Sequence, residues 1–150
     1  GSVGTPGNLM VRIGTPISYV IAQAGGFSGK IEKVIAGGPM MGIALYNLDA
    51  PVMKGTSGIL ALDDKMARPV EESACIRCGK CVMVCPIRLQ PYLLDAYSDA
   101  DRFDDAEKNG VMDCIECGCC AYTCPANRHL VQAMRLAKCE INNKRKACAK

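Results

Sequence analysis

Cys75, Cys78, Cys81 and Cys85 stand in the spacing C-x-x-C-x-x-C-x-x-x-C-P, and Cys114, Cys117, Cys120 and Cys124 repeat it. The two runs, "CIRCGKCVMVCP" and "CIECGCCAYTCP", agree at each of these cysteines and at the first Ile, the Gly and the final Pro. Three thiolates at two-residue gaps can curl round one iron–sulfur cubane. The fourth stands one residue further on and turns away, and Pro86 or Pro125 keeps the loop from folding back. This is the spacing of bacterial 4Fe–4S sites, in which the fourth cysteine serves the other cluster. It predicts two 4Fe–4S clusters, one held by Cys75, Cys78, Cys81 and Cys124, the other by Cys114, Cys117, Cys120 and Cys85.

Competing sulfur chemistries fit less well. A disulfide framework would leave one of the eleven cysteines unpaired, and such bridges usually tie distant segments rather than near neighbours. A zinc ribbon wants two pairs of cysteines, not trios with an offset fourth. Cys119 is surplus, standing where the first copy has Lys80, and Cys139 and Cys148 lie outside both motifs.

The residues between the ligands, among them Ile76, Val82, Met83, Val84, Ile115 and Ala121, are expected to limit water at the clusters. Arg77 and Glu116 occupy equivalent positions with opposite charge. A cation favours the more negative, reduced cluster, so on this pair alone the first cluster should be the easier to reduce. His129, the only histidine, reads as a first-turn helix residue, since eight cysteines already suffice. No Ser/His/Asp constellation and no carboxylate pair stands out, so no catalytic residue is expected. "AGGPMMG" (Ala36–Gly42) lacks both GxGxxG and the Lys-Ser/Thr of a phosphate loop, and reads as tight turns.

These sites need elements to position them. Residues 3–64 hold no cysteine and most of the glycines. There "NLMVRIG" reads as a strand. Thr15 reads as the cap of a helix with Pro16 in its first turn, an apolar face of Ile17, Val20, Ile21 and Ala24, and a stop at Gly25. "KIEKVIAGG" and "TSGILAL" read as further strands, giving a small α+β unit with a helix across a sheet. Residues 65–74 read as a linker. Residues 75–142 should be all-α: Pro91 starts a helix carrying Leu93 and Leu94, Asp99 or Asp101 starts another that Gly110 ends, and Asn127 caps one bearing Leu130, Met134, Ala137 and Ile141. Residues 143–150 read as a flexible tail, and Gly1-Ser2 resembles a tag remnant.

The formal charge of +3 does not mark a nucleic-acid binder. Each cluster with its four thiolates adds roughly −2, and no basic stripe with interleaved aromatics appears. No apolar run approaches the roughly 20 residues of a membrane span. So many thiols, with no visible signal peptide, imply a reducing, cytoplasmic setting.

The chain resembles the C subunits of Rnf electron-transport complexes. The resemblance is carried by "GTP" before the first helix, "AGGPMMG", "SGILAL", "CIRCGKCVMVCP" and "MDCIECGCCAYTCPAN". It implies a β-grasp, soluble-ligand-binding domain followed by a helical two-cluster ferredoxin domain. It implies electron transfer between ferredoxin and NAD, coupled to ion transport. FMN and NADH would belong to an N-terminal part missing here. The expected partners are the other subunits of the complex, and ferredoxin, with membrane attachment only through those subunits. The β-grasp segment also resembles domains of cobalamin-related reductases. That leaves a second reading, a cobalamin- or flavin-related ligand-binding module whose clusters are structural.

Overall fold

The computed structural model describes residues 1–68 and 70–148, with the backbone alone at Cys148. The chain divides into two compact units, Gly1–Pro69 and Val70–Lys150. The break falls within the expected linker.

In the first unit, β1 (Ile31–Ala36) is the central strand, with β2 (Ile43–Ala44) and β3 (Ile59–Asp63) antiparallel on either side. Helix α1 (Ile17–Gln23) contributes Ile17, Val20 and Ile21 to a core shared with Val34, Val52 and Ala61. This is the expected α+β arrangement, and Gly25 ends the helix with φ 82°.

Two local expectations fail. Residues 8–14 are not a strand; they run irregularly and are mostly exposed. Val11 packs against the core, and at the segment's end Gly14 N–H donates to the Val52 carbonyl (2.8 Å) and Val52 N–H to the Thr15 carbonyl (2.8 Å). Thr15 does not cap α1 either. Pro16 is the N-cap, with ψ 140°, and the Thr15 hydroxyl donates instead to the Arg12 carbonyl at 2.7 Å.

The segment "AGGPMMG" forms turns. Gly37 has φ 108°, and a Cβ on Gly42 would lie 2.4 Å from Ile35 Cγ2 and 2.5 Å from the Gly38 carbonyl oxygen. The glycines there answer to backbone crowding, as tight turns require.

The second unit is helical: α2 (Lys80–Met83), α3 (Pro91–Asp99), α4 (Phe103–Lys108), a 3-10 turn at Val111–Asp113, α5 (Cys119–Tyr122) and α6 (Leu130–Cys148). Leu94, Ala106, Val111, Met134, Ala137 and Ile141 form its core. The predicted face of α6 is thus the buried one, as helical periodicity requires.

The helix starts differ from expectation. Asp101 sits in the left-handed region (φ 54°) and Asp99 closes α3, so Arg102 is the N-cap of α4. Asn127 is also left-handed (φ 51°) and does not cap α6. The His129 N–H at that helix entrance donates to Glu72 Oε1 at 2.7 Å, which puts a carboxylate where the helix dipole favours one. Glu72, expected in a linker, is therefore an anchor of the helical unit. Helix α6 also runs through Cys148, well into the expected tail; residues 149–150 lie outside the described residues.

Candidate metal centres

The repeat in sequence is a repeat in backbone. Arg77 and Glu116 are both left-handed (φ 53° and 55°), as are Gly79 and Gly118 (73° and 84°) and Arg88 and Asn127 (58° and 51°). The one-turn helices α2 and α5 begin at equivalent residues, Lys80 and Cys119, and end at equivalent residues, Met83 and Tyr122. Helices α3 and α6 start at the equivalent Pro91 and Leu130. A left-handed non-glycine residue costs roughly 1–2 kcal/mol. Bearing that cost at matched places is what curling each trio of cysteines requires.

The two copies enclose two cavities, and each takes cysteines from both. The first is lined by Cys75, Cys78, Cys81 and Cys124. The second is lined by Cys114, Cys117, Cys120 and Cys85. Each cavity is lined by the first three cysteines of one copy and the fourth of the other. The cavities are matched in size, at about 20 Å³ each. Among the described residues, no three Cys, His, Asp or Glu side chains converge tightly enough for a single ion. The thiols surround a space instead, and four soft sulfur donors round a space suit a polynuclear iron–sulfur group.

Burial pushes the Cys81 and Cys114 thiols above their ordinary pKa, and that of Cys120 to about 11. Without metal these thiols stay protonated at neutral pH, so loading either cavity must release protons. Backbone N–H groups already point at two of the sulfurs: Leu89 donates to Cys85 Sγ (3.3 Å) and Glu116 to Cys114 Sγ (3.4 Å).

Cys119, the surplus cysteine, is not among the residues lining either cavity. Cys139 is exposed on α6. His129 has its side chain 63% exposed beside Glu72, not beside the cysteines.

The expected water screen is found in part: Ile76 lines the first cavity and Ile115 the second, though both have an exposed side. Ile76, Met83 and Ile115 are 68%, 80% and 54% exposed. On a one-turn helix that turns its cysteine inward, the residue two places on points out. The rest of the apolar wall comes largely from the helices that follow each motif: Tyr92 and Leu130 at the first cavity, Leu94, Val131 and Met134 at the second.

Charge is also placed by residues that the motifs do not contain. Arg128 lies against the first cavity and bonds the buried Asp95 (Nε to Oδ2, 2.9 Å), Asp99 and Glu72. Burial raises the Asp95 pKa in spite of this pair, while the same pair drives that of Arg128 up. At the second cavity Glu116 receives Arg135 Nε at 2.8 Å and Lys138 Nζ at 3.0 Å. Hydrogen bonding from Arg135 holds the Glu116 carboxyl below its ordinary range. The only signal of these partners in sequence is the α6 periodicity, which places Arg135 and Lys138 one turn apart.

Comparison with known proteins agrees with this architecture. Residues 1–44 match the SLBB domain family, and residues 68–125 match the 4Fe-4S dicluster domain family. The chain is 55% identical over 93% of its length to the C subunit of the Na(+)-translocating ferredoxin:NAD(+) oxidoreductase complex of Acetobacterium woodii, and covers 32% of that protein. It is 49% identical over 93% of its length to the proton-translocating counterpart of Clostridium ljungdahlii, covering 31% of it. It is also 49% identical to the C subunit of the ion-translocating oxidoreductase complex of Rhodobacter capsulatus, covering 27% of it. The chain thus spans about a third of the length of these curated relatives. An SLBB segment followed by a dicluster segment, at this identity over nearly the whole chain, makes it a homologue of one stretch of the C subunits of ion-translocating oxidoreductase complexes.

Proposed function

We propose that the chain is an electron relay within an ion-translocating ferredoxin:NAD oxidoreductase complex. The observation that carries this is the pair of matched cavities, each closed by a cysteine from the other copy. In this reading Cys75, Cys78, Cys81 and Cys124 hold one 4Fe–4S cluster, and Cys114, Cys117, Cys120 and Cys85 hold the second. Bound there, the clusters supply one-electron carriers. The chain supplies the rest. Its thiolates fix both sites in one helical unit, Tyr92, Leu94, Leu130 and Met134 limit water, and the crossed ligands keep the sites adjacent.

The names of the relatives support the complex and its two substrates. FMN and NADH would then be bound by parts of the longer proteins outside this chain, which would not complete the reaction alone. Attachment to a cytoplasmic membrane face would pass through partner subunits; no described helix is long and apolar enough to cross a membrane.

Anaerobically purified chain is expected to carry about eight irons with matching sulfide. Its reduced form is expected to give the EPR spectrum of two interacting centres. Four irons or fewer, or stoichiometric zinc, would replace this reading.

The first unit favours a second function through one feature, an open cavity of about 350 Å³ between α1, β3 and the irregular segment at residues 6–11. A volume of this order suits a small ligand. Calorimetry of the whole chain with cobalamin, flavin and NADH decides between a ligand module and a relay; the relay reading expects no tight binding.

A further inference from the structure

The two cysteine-lined cavities share a backbone but not a cover. Position by position, the turn that opens the first copy is the more open one. Cys75 and Cys78 are exposed, while their equivalents, Cys114 and Cys117, are half-buried. Arg77 is exposed where Glu116 is half-buried, and Gly79 is half-buried where Gly118 is buried. Ile76 is more exposed than Ile115. The third cysteine runs the other way, Cys81 being buried and Cys120 half-buried, but these two sit on the inner helices α2 and α5 and not on the turns. The fourth cysteines, Cys85 and Cys124, are alike half-buried.

The difference comes from helix length. Helix α6 covers the second turn: Lys138 Nζ donates to the Cys114 carbonyl and to Glu116 Oε1 (3.0 Å), and Arg135 Nε donates to Glu116 Oε2 (2.8 Å). Helix α3 starts at the position equivalent to the start of α6, yet it is 9 residues long and α6 is 19. Where α6 carries Arg135 and Lys138, α3 carries Ala96 and Asp99. Ala96 has no reach, and Asp99, the last residue of α3, bonds Arg128 instead. The repeat thus breaks where a long side chain would have closed over Cys75–Gly79.

We infer that the first cluster is the port of the pair: a protein carrying one electron at a time docks on the turn Cys75–Gly79 and exchanges its electron there, and the second cluster is filled from the first. This rests on the two-cluster relay reading. In the reducing direction the carrier is oxidised and the first cluster reduced; the first is then oxidised and the second reduced. No bond forms or breaks and no proton moves. Electron tunnelling falls steeply with distance, so a cluster whose ligands reach the surface exchanges with an outside partner sooner than one under a helix. Ile76 is exposed apolar surface at the wall of the first cavity, where a docked partner excludes water.

The test mixes oxidised, cluster-loaded chain with a reduced small bacterial ferredoxin, as the one-electron carrier, and freezes samples for EPR at successive times. Two phases are expected. Cys78→Ala, which removes the first cluster, should lose the fast phase; Cys117→Ala, which removes the second, should lose the slow one. A fast phase that survives Cys78→Ala, or equal rates for both clusters in the wild-type chain, overturns the inference. If either variant loses both clusters, relaxation of the wild-type EPR signals by a water-soluble dysprosium chelate decides. One centre relaxed more strongly than the other supports a single exposed port, and equal relaxation removes it. A wild-type chain with a single cluster signal instead removes the relay reading itself.

Discussion

Cys85 and Cys117 line one cavity, although Cys81, the cysteine nearest to Cys85 in its own motif, lines the other. The fourth cysteine of each motif therefore shares a cavity with the trio of the other.

Ligand replacement should follow this crossing. Cys85→Ala is expected to damage the cluster of Cys114, Cys117 and Cys120, and Cys124→Ala that of Cys75, Cys78 and Cys81. Cys119→Ser should keep full iron content. EPR of each single variant with iron analysis reads the outcome; loss of the sequence-local cluster in Cys85→Ala would show the assignment to be wrong.

Arg128 holds a carboxylate that has left water: the Asp95 side chain is 6% exposed and that of Arg128 19%. Arg128→Met strands Asp95 and is expected to destabilise the helical unit by about 3 kcal/mol. Arg128→Lys should recover only part, because one ammonium cannot reproduce the guanidinium's fork to Asp95, Asp99 and Glu72. Urea unfolding of the loaded chain, followed by cluster absorbance, measures both.

Asp95 also gives a pH dependence. Its burial raises the native pKa above the ordinary 3.8. Just above that value the native chain keeps a proton that the unfolded chain has released. The stability from this residue is thus fully present at lower pH and lost as pH rises through the native pKa. Wild-type stability relative to Asp95→Asn should fall as pH rises from about 4. A relative stability that grew over that range would contradict it.

In the first unit, Gly42→Ala would set a Cβ 2.4 Å from Ile35 Cγ2 and 2.9 Å from the Ala36 carbonyl oxygen. Overpacking of this kind costs about 2 kcal/mol. The variant should lower the unfolding midpoint of the first unit, seen by circular dichroism, while leaving iron content unchanged. A loss of iron would mean that the turn serves the cluster sites.

The cysteines that line each cavity stand in a local spacing repeated in register, which a sequence displays directly. The buried face of α6 was legible through Leu130, Met134, Ala137 and Ile141, which follow helical periodicity. Tertiary partners were not. Glu72 reads as linker polarity, yet it satisfies the His129 N–H, a bond made across a gap that no local pattern spans. Residues 8–14 alternate like a strand but find no neighbour to pair along their length. Met83 is apolar and exposed, because a one-turn helix cannot bury two opposite sides. The partners of Glu116 were not legible for the same reason: Lys138 and Arg135 arrive from another helix.

The proposed crossing of the fourth ligands also bears on the order in which a ribosome delivers the chain. Cys75, Cys78 and Cys81 leave the tunnel first, yet their set is completed last, by Cys124. The second set closes earlier, at Cys120, using Cys85 from the copy already made. A nascent chain halted between Cys120 and Cys124 would hold a complete site for the downstream cluster and an open one for the upstream cluster. Cofactor delivery to the first trio must therefore wait for nearly the whole of both motifs.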